Sequence, residues 1–368
     1  MKAFYRSFIV LLAAVVLLAL PLSNSKASAA SAEDTLYSYM PWDIEEHWAY
    51  EALDNFVSAD LLKGYTDSYG DTYVKPDMSI SRAEFVSILV RALGLTTEES
   101  GKTFSDVPAG KWYAEPIRIA SSLGVVNGLT DTTFGPNELI KRGEIATMVV
   151  RAFESSVSFE GQAKSFSDVP DYFATPFIVQ ASQAGIVRGA TATTFKPFAN
   201  ATRAEAVVMM QRALDLQKSD LPEDAALTAV ITEMNAAESE ALNTEQFDKF
   251  SEIYAQYYTG YELAASDVDN DFYASMKEEG YKITIEQTAP EKFEIVAKSN
   301  RFAVLNSIEG KVNFKMEGPD MTHTQVVDTD ATYYLKKMPD NSWKIYNVYP
   351  VFPEDMEGME EEFLLNKK

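Results

Sequence analysis

The stretch that decides the fold is Ile80–Leu95, "ISRAEFVSILVRALGL". Its apolar residues Phe85, Ile88, Leu89, Ala92 and Leu93 fall at i, i+3, i+4, i+7 and i+8, which is one face of a helix. Ser81 and Glu84 supply a Ser-x-x-Glu capping box at its start. Arg82 does not fit this picture, because a cation in the first turn opposes a macrodipole that is already positive there. The misfit recurs. "IKRGEIATMVVRAFES" (140–155) and "ATRAEAVVMMQRALDL" (201–216) carry the same apolar face, and their arginines follow at 142 − 82 = 60 and 203 − 142 = 61 residues. Spacing of this kind marks a tandem repeat.

Each repeat also has a shorter upstream helix. An aromatic opens it (Trp48, Trp112, Tyr172), and Pro116 and Pro176 take first-turn places where a missing N–H does no harm. Gly64, Gly128 and Gly189 close the unit, and a turn ending in proline follows: "GYTDSYGDTYVKP", "GLTDTTFGP" and "GATATTFKP". The first version is four residues longer, as expected of an insertion in a surface loop. "FSDV" stands in front of the second and third copies at Phe104 and Phe166, with "WDI" at Trp42 as its degenerate first form.

Composition narrows the chemistry. The 368 residues contain no cysteine, which removes disulfides, thiol catalysis and cysteine-based zinc sites. A net charge of −23 argues against nucleic acid or anionic lipid as the general partner, so an anionic ligand has to be met by local cations. Lys2 and Arg6 precede an apolar run from Phe8 to Leu20, followed by Pro21 and the small-x-small tripeptide Ala27-Ser28-Ala29. Residues 1–29 therefore read as a secretory signal peptide, the run being short for a span of ~20 residues.

The ordered set FxDV, aromatic-Ala, Gly-Ile/Val-x-x-Gly, Asp-x-Thr-Phe-x-Pro and Thr-Arg-Ala-Glu, in triplicate over about 41–216, resembles the surface-layer homology (SLH) repeat. The resemblance implies an all-α, pseudo-threefold trimer of repeats at 41–95, 104–155 and 166–216. It also implies grooves between repeats that bind secondary cell wall polysaccharide through a pyruvate ketal. By position, Arg82, Arg142 and Arg203 would meet the pyruvate carboxylate. Asp43, Asp106 and Asp168 would shape the groove, Trp48 and Trp112 would offer a sugar-stacking face, and Gly64, Gly128 and Gly189 would allow close backbone approach. Plain core packing is an equal reading for the aromatics. The residues themselves suggest a carboxylate seat, since free helix-start N–H groups and a guanidinium converge on one anion. On that reading Arg82 is exposed and dispensable for folding. Lys141 in place of a capping hydroxyl, Gly143 in place of alanine, Ala192 and Tyr172 depart from the pattern, so the grooves should be unequal, with the one at Arg82 best preserved.

After Leu216 the pattern stops. Residues 217–224 read as a linker, 225–350 as an α+β domain and 351–368 as an acidic tail. Helix-like sequence runs from Ala225 to Ala241. "NTEQ" suggests a second capping box, from Asn243 to Gln246. Alternating tracts follow: Tyr281–Ile285, Phe293–Ala297, Val312–Met316, Val326–Leu335 and Trp343–Tyr349. This order resembles the NTF2-like or SnoaL-like group, whose curved antiparallel sheet wraps helices around a pocket. Asp267, Asp269, Asp271 and Glu278 have EF-hand spacing, but Phe272 stands where the loop needs glycine, so a solvated acidic turn is favoured over calcium. His323 has no identifiable catalytic partner. The expected protein is a non-enzymatic, extracellular one. It needs no cofactor or metal and is anchored to the cell wall or S-layer of a Gram-positive-type bacterium, displaying a C-terminal binding domain. The alternative is a wall-anchored enzyme with a small-molecule pocket in that domain.

Overall fold

The computed structural model describes residues 29–319 and 321–351. The expected signal peptide, apart from Ala29, and the expected acidic tail, apart from Val351, lie outside the described residues. Helix α1 (Ala29–Tyr37) precedes two helices per repeat: α2 (Tyr50–Ser58) and α3 (Arg82–Leu93), α4 (Ala114–Ser122) and α5 (Arg142–Phe153), and α6 (Thr175–Gln183) and α7 (Arg203–Asp215). Packing runs between repeats, α3 on α4, α5 on α6 and α7 on α2. The insertion in the first repeat is a small hairpin, β1 (Tyr65–Thr66) with β2 (Thr72–Tyr73). No helix among the described residues is long and apolar enough to cross a membrane.

The expected capping box forms at α3 and recurs at α7, where Ser81 Oγ and Thr202 Oγ1 each accept from the N–H three residues on, at 3.2 Å. At α5 only the reciprocal half survives, Lys141 N–H to Glu144 Oε2 at 2.8 Å, because an ammonium has no acceptor to offer. The three helix starts meet at one point. Ile80 N–H donates to the Ala201 carbonyl (3.0 Å), Ala201 N–H to Ile140 (3.0 Å) and Ile140 N–H to Ile80 (3.1 Å), a closed cycle of backbone bonds. Around it, the first two N–H groups of each long helix donate to the turn of the next repeat: Arg82 to Glu138 and Ala83 to Pro136, Arg142 to Ala199 and Gly143 to Pro197, Arg203 to Met78 and Ala204 to Pro76, all at 2.9–3.1 Å. The expectation of free helix-start donors is thereby corrected. Buried N–H groups take partners, and here the neighbouring repeat supplies them.

In the second half, α8 (Asp224–Asn243), α9 (Phe250–Tyr257) and α10 (Gly260–Glu278) pack on two antiparallel sheets, of order β3-β6-β7 and β4-β5-β8-β9. The strands are β3 (Lys282–Ala289), β4 (Lys292–Lys298), β5 (Phe302–Ile308), β6 (Lys311–Glu317), β7 (Thr322–Asp328), β8 (Ala331–Lys337) and β9 (Trp343–Pro350). Strand β5 was not among the alternating tracts, although Ala303, Leu305 and Ser307 face inward along it. The tract from Val326 to Leu335 is two strands turning at Thr329–Asp330. Asn243 ends α8 and pairs in both directions with the Ile285 backbone (2.7 and 2.8 Å) instead of opening a capping box. Asp267 to Glu278 lie on the continuous helix α10, about 16 Å apart along its axis, so they form neither the calcium loop nor the turn favoured over it.

The two halves are packed together. A register shift in the β8–β9 pairing skips Tyr346, and such bulges re-aim a side chain. Tyr346 is buried in the core of the repeats, and its hydroxyl donates to Asn55 on α2. Tyr349 donates to Asp54 (2.9 Å), Asn347 to Ser58 (3.3 Å) and Lys336 to the Ala59 carbonyl. Gly260, at φ +61°, sits where a Cβ would strike the Ser58 carbonyl. The expected linker is held from both sides, Gln217 by Ser156 (3.0 Å) and Pro222 by Lys298 (2.9 Å).

Candidate functional site at the boundaries between repeats

The three arginines are buried; Arg82 is only 3% exposed. Each guanidinium reaches into the next repeat in the same way. Arg82 stacks on Phe134 (4.9 Å), donates through Nε to the Phe134 carbonyl (3.0 Å) and pairs through Nη1 with Glu144 (2.7 Å). Arg142 does the same with Phe195 (5.0 Å, Nε to O 2.8 Å) and Glu205. Arg203 closes the ring onto the first repeat, over Tyr65 (4.9 Å), with Nε on the Val74 carbonyl (2.7 Å) and Nη1 on Glu84 (2.9 Å). Each carboxylate is the capping glutamate of the following helix. Glu84 shows the balance: burial pushes its carboxyl up, but hydrogen bonds from Tyr65 and Ser81, with Arg203 beside it, hold it below the usual range. Burial lowers the Arg82 and Arg142 guanidinium pKa, opposed by Glu144 and Glu205. The cation at the helix start is therefore the counter-charge of the neighbouring cap, and Arg82 is not an exposed side chain.

The boundaries differ in what is left over. Nη2 of Arg203 donates to the Lys63 carbonyl at 2.9 Å. Nη2 of Arg82 and of Arg142 makes no hydrogen bond among the described residues.

The aspartates act as turn clamps. Asp106 accepts from the Phe134 and Gly135 N–H groups (2.8 and 2.7 Å), Asp168 from Phe195 and Lys196 (2.8 and 2.7 Å), and Asp43 from Val74 and Lys75 (2.8 and 2.6 Å). Burial pushes the Asp106 and Asp168 carboxyls up, yet those N–H bonds outweigh it and hold both low. Gly128 and Gly189 have φ of +83° and +89°, and a Cβ there would meet Phe104 and Phe166, at 2.6 and 2.7 Å. Their glycine character is thus accounted for by the turn and by the packing of the FSDV phenylalanine. Gly64 lies against Thr72, where a Cβ would come within 2.5 Å.

Trp48 and Trp112 stand 64% and 61% exposed, at the surface and not in the core. The third equivalent is Phe173, at 62%, and not Tyr172. Counting back from the closing glycine gives it: 64 − 48, 128 − 112 and 189 − 173 are all 16. Pro176 lies one residue nearer the helix start than Pro116 does, since 189 − 176 is 13 and 128 − 116 is 12. Tyr172 instead turns inward, and its hydroxyl fills the space where a Cβ on Gly143 would be. Two departures from the repeat pattern are therefore one feature, a tyrosine in the third copy occupying the space of the alanine missing from the second. Burial, then Glu144, pushes the Tyr172 hydroxyl up to about 12.

Comparison with known proteins places this geometry. The S-layer homology domain family matches residues 43–86, 103–146 and 165–207. An amylopullulanase of Thermoanaerobacterium thermosulfurigenes is 32% identical over 179 residues, 47% of this chain and 9% of that protein. A surface-layer 125 kDa protein of Lysinibacillus sphaericus is 32% identical over 173 residues, 46% and 14% of the two chains. A cellulosome-anchoring protein of Acetivibrio thermocellus is 30% identical over 164 residues, 43% and 36%. The shared region is thus a small part of each relative, and it is confined to the repeats. Among solved structures, the intermembrane space region of chloroplast protein ARC6 matches 35% of this chain and all of its own, at 16% identity and a TM-score of 0.28, too low to place the C-terminal half in a family. The chain carries three S-layer homology repeats between residues 43 and 207.

Proposed function

We propose that this is an exported cell-surface protein, held non-covalently on pyruvylated secondary cell wall polysaccharide of a Gram-positive-type envelope. In this reading the repeats form a pseudo-threefold anchor. The C-terminal half, of NTF2-like plan, is a displayed binding module without enzymatic activity. Two observations carry the reading: the outer nitrogens of Arg82 and Arg142 make no hydrogen bond among the described residues, and the repeats these arginines reach into expose Trp112 and Phe173 respectively. A carboxylate on a sugar ring fits that pair, since the free guanidinium nitrogen donates a charge-assisted bond while the ring lies on the aromatic face. The boundary of Arg203 with Trp48 contributes least, because Lys63 already takes its outer nitrogen. Relatives named for surface-layer and cellulosome-anchoring roles support the same assignment. The test is co-sedimentation of the full-length protein with purified wall sacculi. Binding should vanish when the secondary polysaccharide is extracted; equal retention on bare peptidoglycan overturns the ligand assignment.

A further inference from the structure

The C-terminal half contains a cavity of about 310 Å³ between α8 and the sheets. One wall is apolar, made by Ile285, Pro290 and Val312, and the other carries Asn235, Glu238 and Glu291. Glu238 is 94% buried, and its one hydrogen bond among the described residues is from the Tyr254 hydroxyl to Oε1, at 2.9 Å. That leaves Oε2 of a buried carboxyl without a partner on the cavity side. Asn235 donates to both oxygens of Glu291 (3.2 and 3.1 Å), while its own Oδ1 is buried and unbonded. Beneath them the Tyr333 hydroxyl, buried beside Glu291, Asn235 and Glu238, completes no well-formed hydrogen bond. Gly310 makes room for the arrangement, since a Cβ there would collide with Thr329 and Glu291.

No lysine or arginine lines this cavity, and the adjacent Lys292 and Lys311 are paired with Glu309 and Asp328. A buried carboxyl such as Glu238 is costly without a counter-charge unless something else neutralises it. We propose that the cavity is a binding site for a small organic cation, with a primary ammonium between Glu238 and Glu291 and its carbon skeleton on the Ile285–Val312 wall. An ammonium has three donors and no acceptor, matching a set of acceptors lacking a donor of their own charge. A bare metal ion fits less well, because no group of three or more acidic or histidine residues placed to hold one occurs among the described residues. Burial pushes the Glu238 carboxyl up to about 7, against the Tyr254 bond, and raises that of Glu291, against hydrogen bonds from Thr329 and Asn235. The proposal rests on the reading of this half as a binding module and is independent of the wall anchor.

The test is calorimetric titration of the full-length protein at pH 8 with two matched pairs, glucosamine against glucose and n-butylamine against n-butanol. Both amines should bind saturably and neither alcohol should. Glu238→Gln and Glu291→Gln should each weaken amine binding roughly tenfold or more, the loss expected when one carboxylate of a charge pair is removed. Wall co-sedimentation of both variants should stay normal, which separates this result from the anchoring one. Glucose binding as well as glucosamine, or no saturable binding of either amine, overturns the proposal. Should Glu238→Gln fail to fold, Glu291→Gln carries the test, and unchanged amine affinity in that variant overturns the proposal equally.

Discussion

The two halves of the molecule bury charge in opposite ways. In the repeats, each buried arginine finds a carboxylate on the next repeat, so Arg82, Arg142 and Arg203 with Glu144, Glu205 and Glu84 form a closed ring of ion pairs. In the C-terminal half, Glu238 and Glu291 face a cavity with no cation along it. Paired burial holds elements in one register and breaks badly when one partner is lost. Unpaired burial marks a place where a ligand would complete the charge.

The largest effect should come from Arg203→Ala. That guanidinium has partners in Val74, Tyr65, Glu84 and Lys63, and its removal should cost ~3–5 kcal/mol in thermal unfolding, the range for stranding one member of a buried pair. Wall binding of the folded fraction should change little, which sets a structural arginine apart from a ligand-facing one.

Glu238→Gln sharpens the other side of the comparison. Folded Glu238 keeps its proton up to about pH 7, whereas an unfolded glutamate loses it near 4.5. Between those values the folded state binds more protons, so stability falls as pH rises from 4.5 to 7 and stays level above. The glutamine variant escapes this fall. Its stability relative to wild type should therefore rise by about 3 kcal/mol between pH 4 and pH 8. A difference independent of pH would contradict the burial of that carboxyl.

Gly143→Ala should destabilise by ~1–3 kcal/mol through overpacking against Tyr172. Tyr172→Phe in the same chain should restore most of it, which chemical denaturation of the three variants would measure. The smallest stability effect belongs to Phe173→Ala, within ~0.5 kcal/mol for an exposed side chain, while sedimentation with walls should weaken a few-fold. A normal wall affinity would return Phe173 to bare surface.

Much of this was legible in the sequence, and what was not has identifiable causes. The 60- and 61-residue spacings expose three copies, because helix faces and turn residues are local signals. Burial of Arg82 was hidden, since its partners Phe134 and Glu144 lie 52 and 62 residues away. Phe173 was hidden by its aromatic neighbour Tyr172, although the constant distance to the closing glycine marks it. Glu238 also left a trace. It falls on the stripe Leu227, Ile231, Met234, Ala241, Leu242 of α8, where a charged residue is out of place. The docking of β9 on α2 had no sequence signal, because the bulge at Tyr346 breaks the alternation that would announce it.

The central claim is that the arginines close the ring of repeats. A double-mutant cycle on Arg82→Met and Glu144→Gln, read by equilibrium unfolding of the full chain, tests it most directly. Arg82→Met alone should cost ~3–5 kcal/mol, and the double variant should fall short of the sum of the singles by at least ~1 kcal/mol, because each single change strands the other's charge or bond. Wild-type stability in Arg82→Met, with additive single effects, would show that the ring holds without its ion pairs and that the arginine is kept for another purpose.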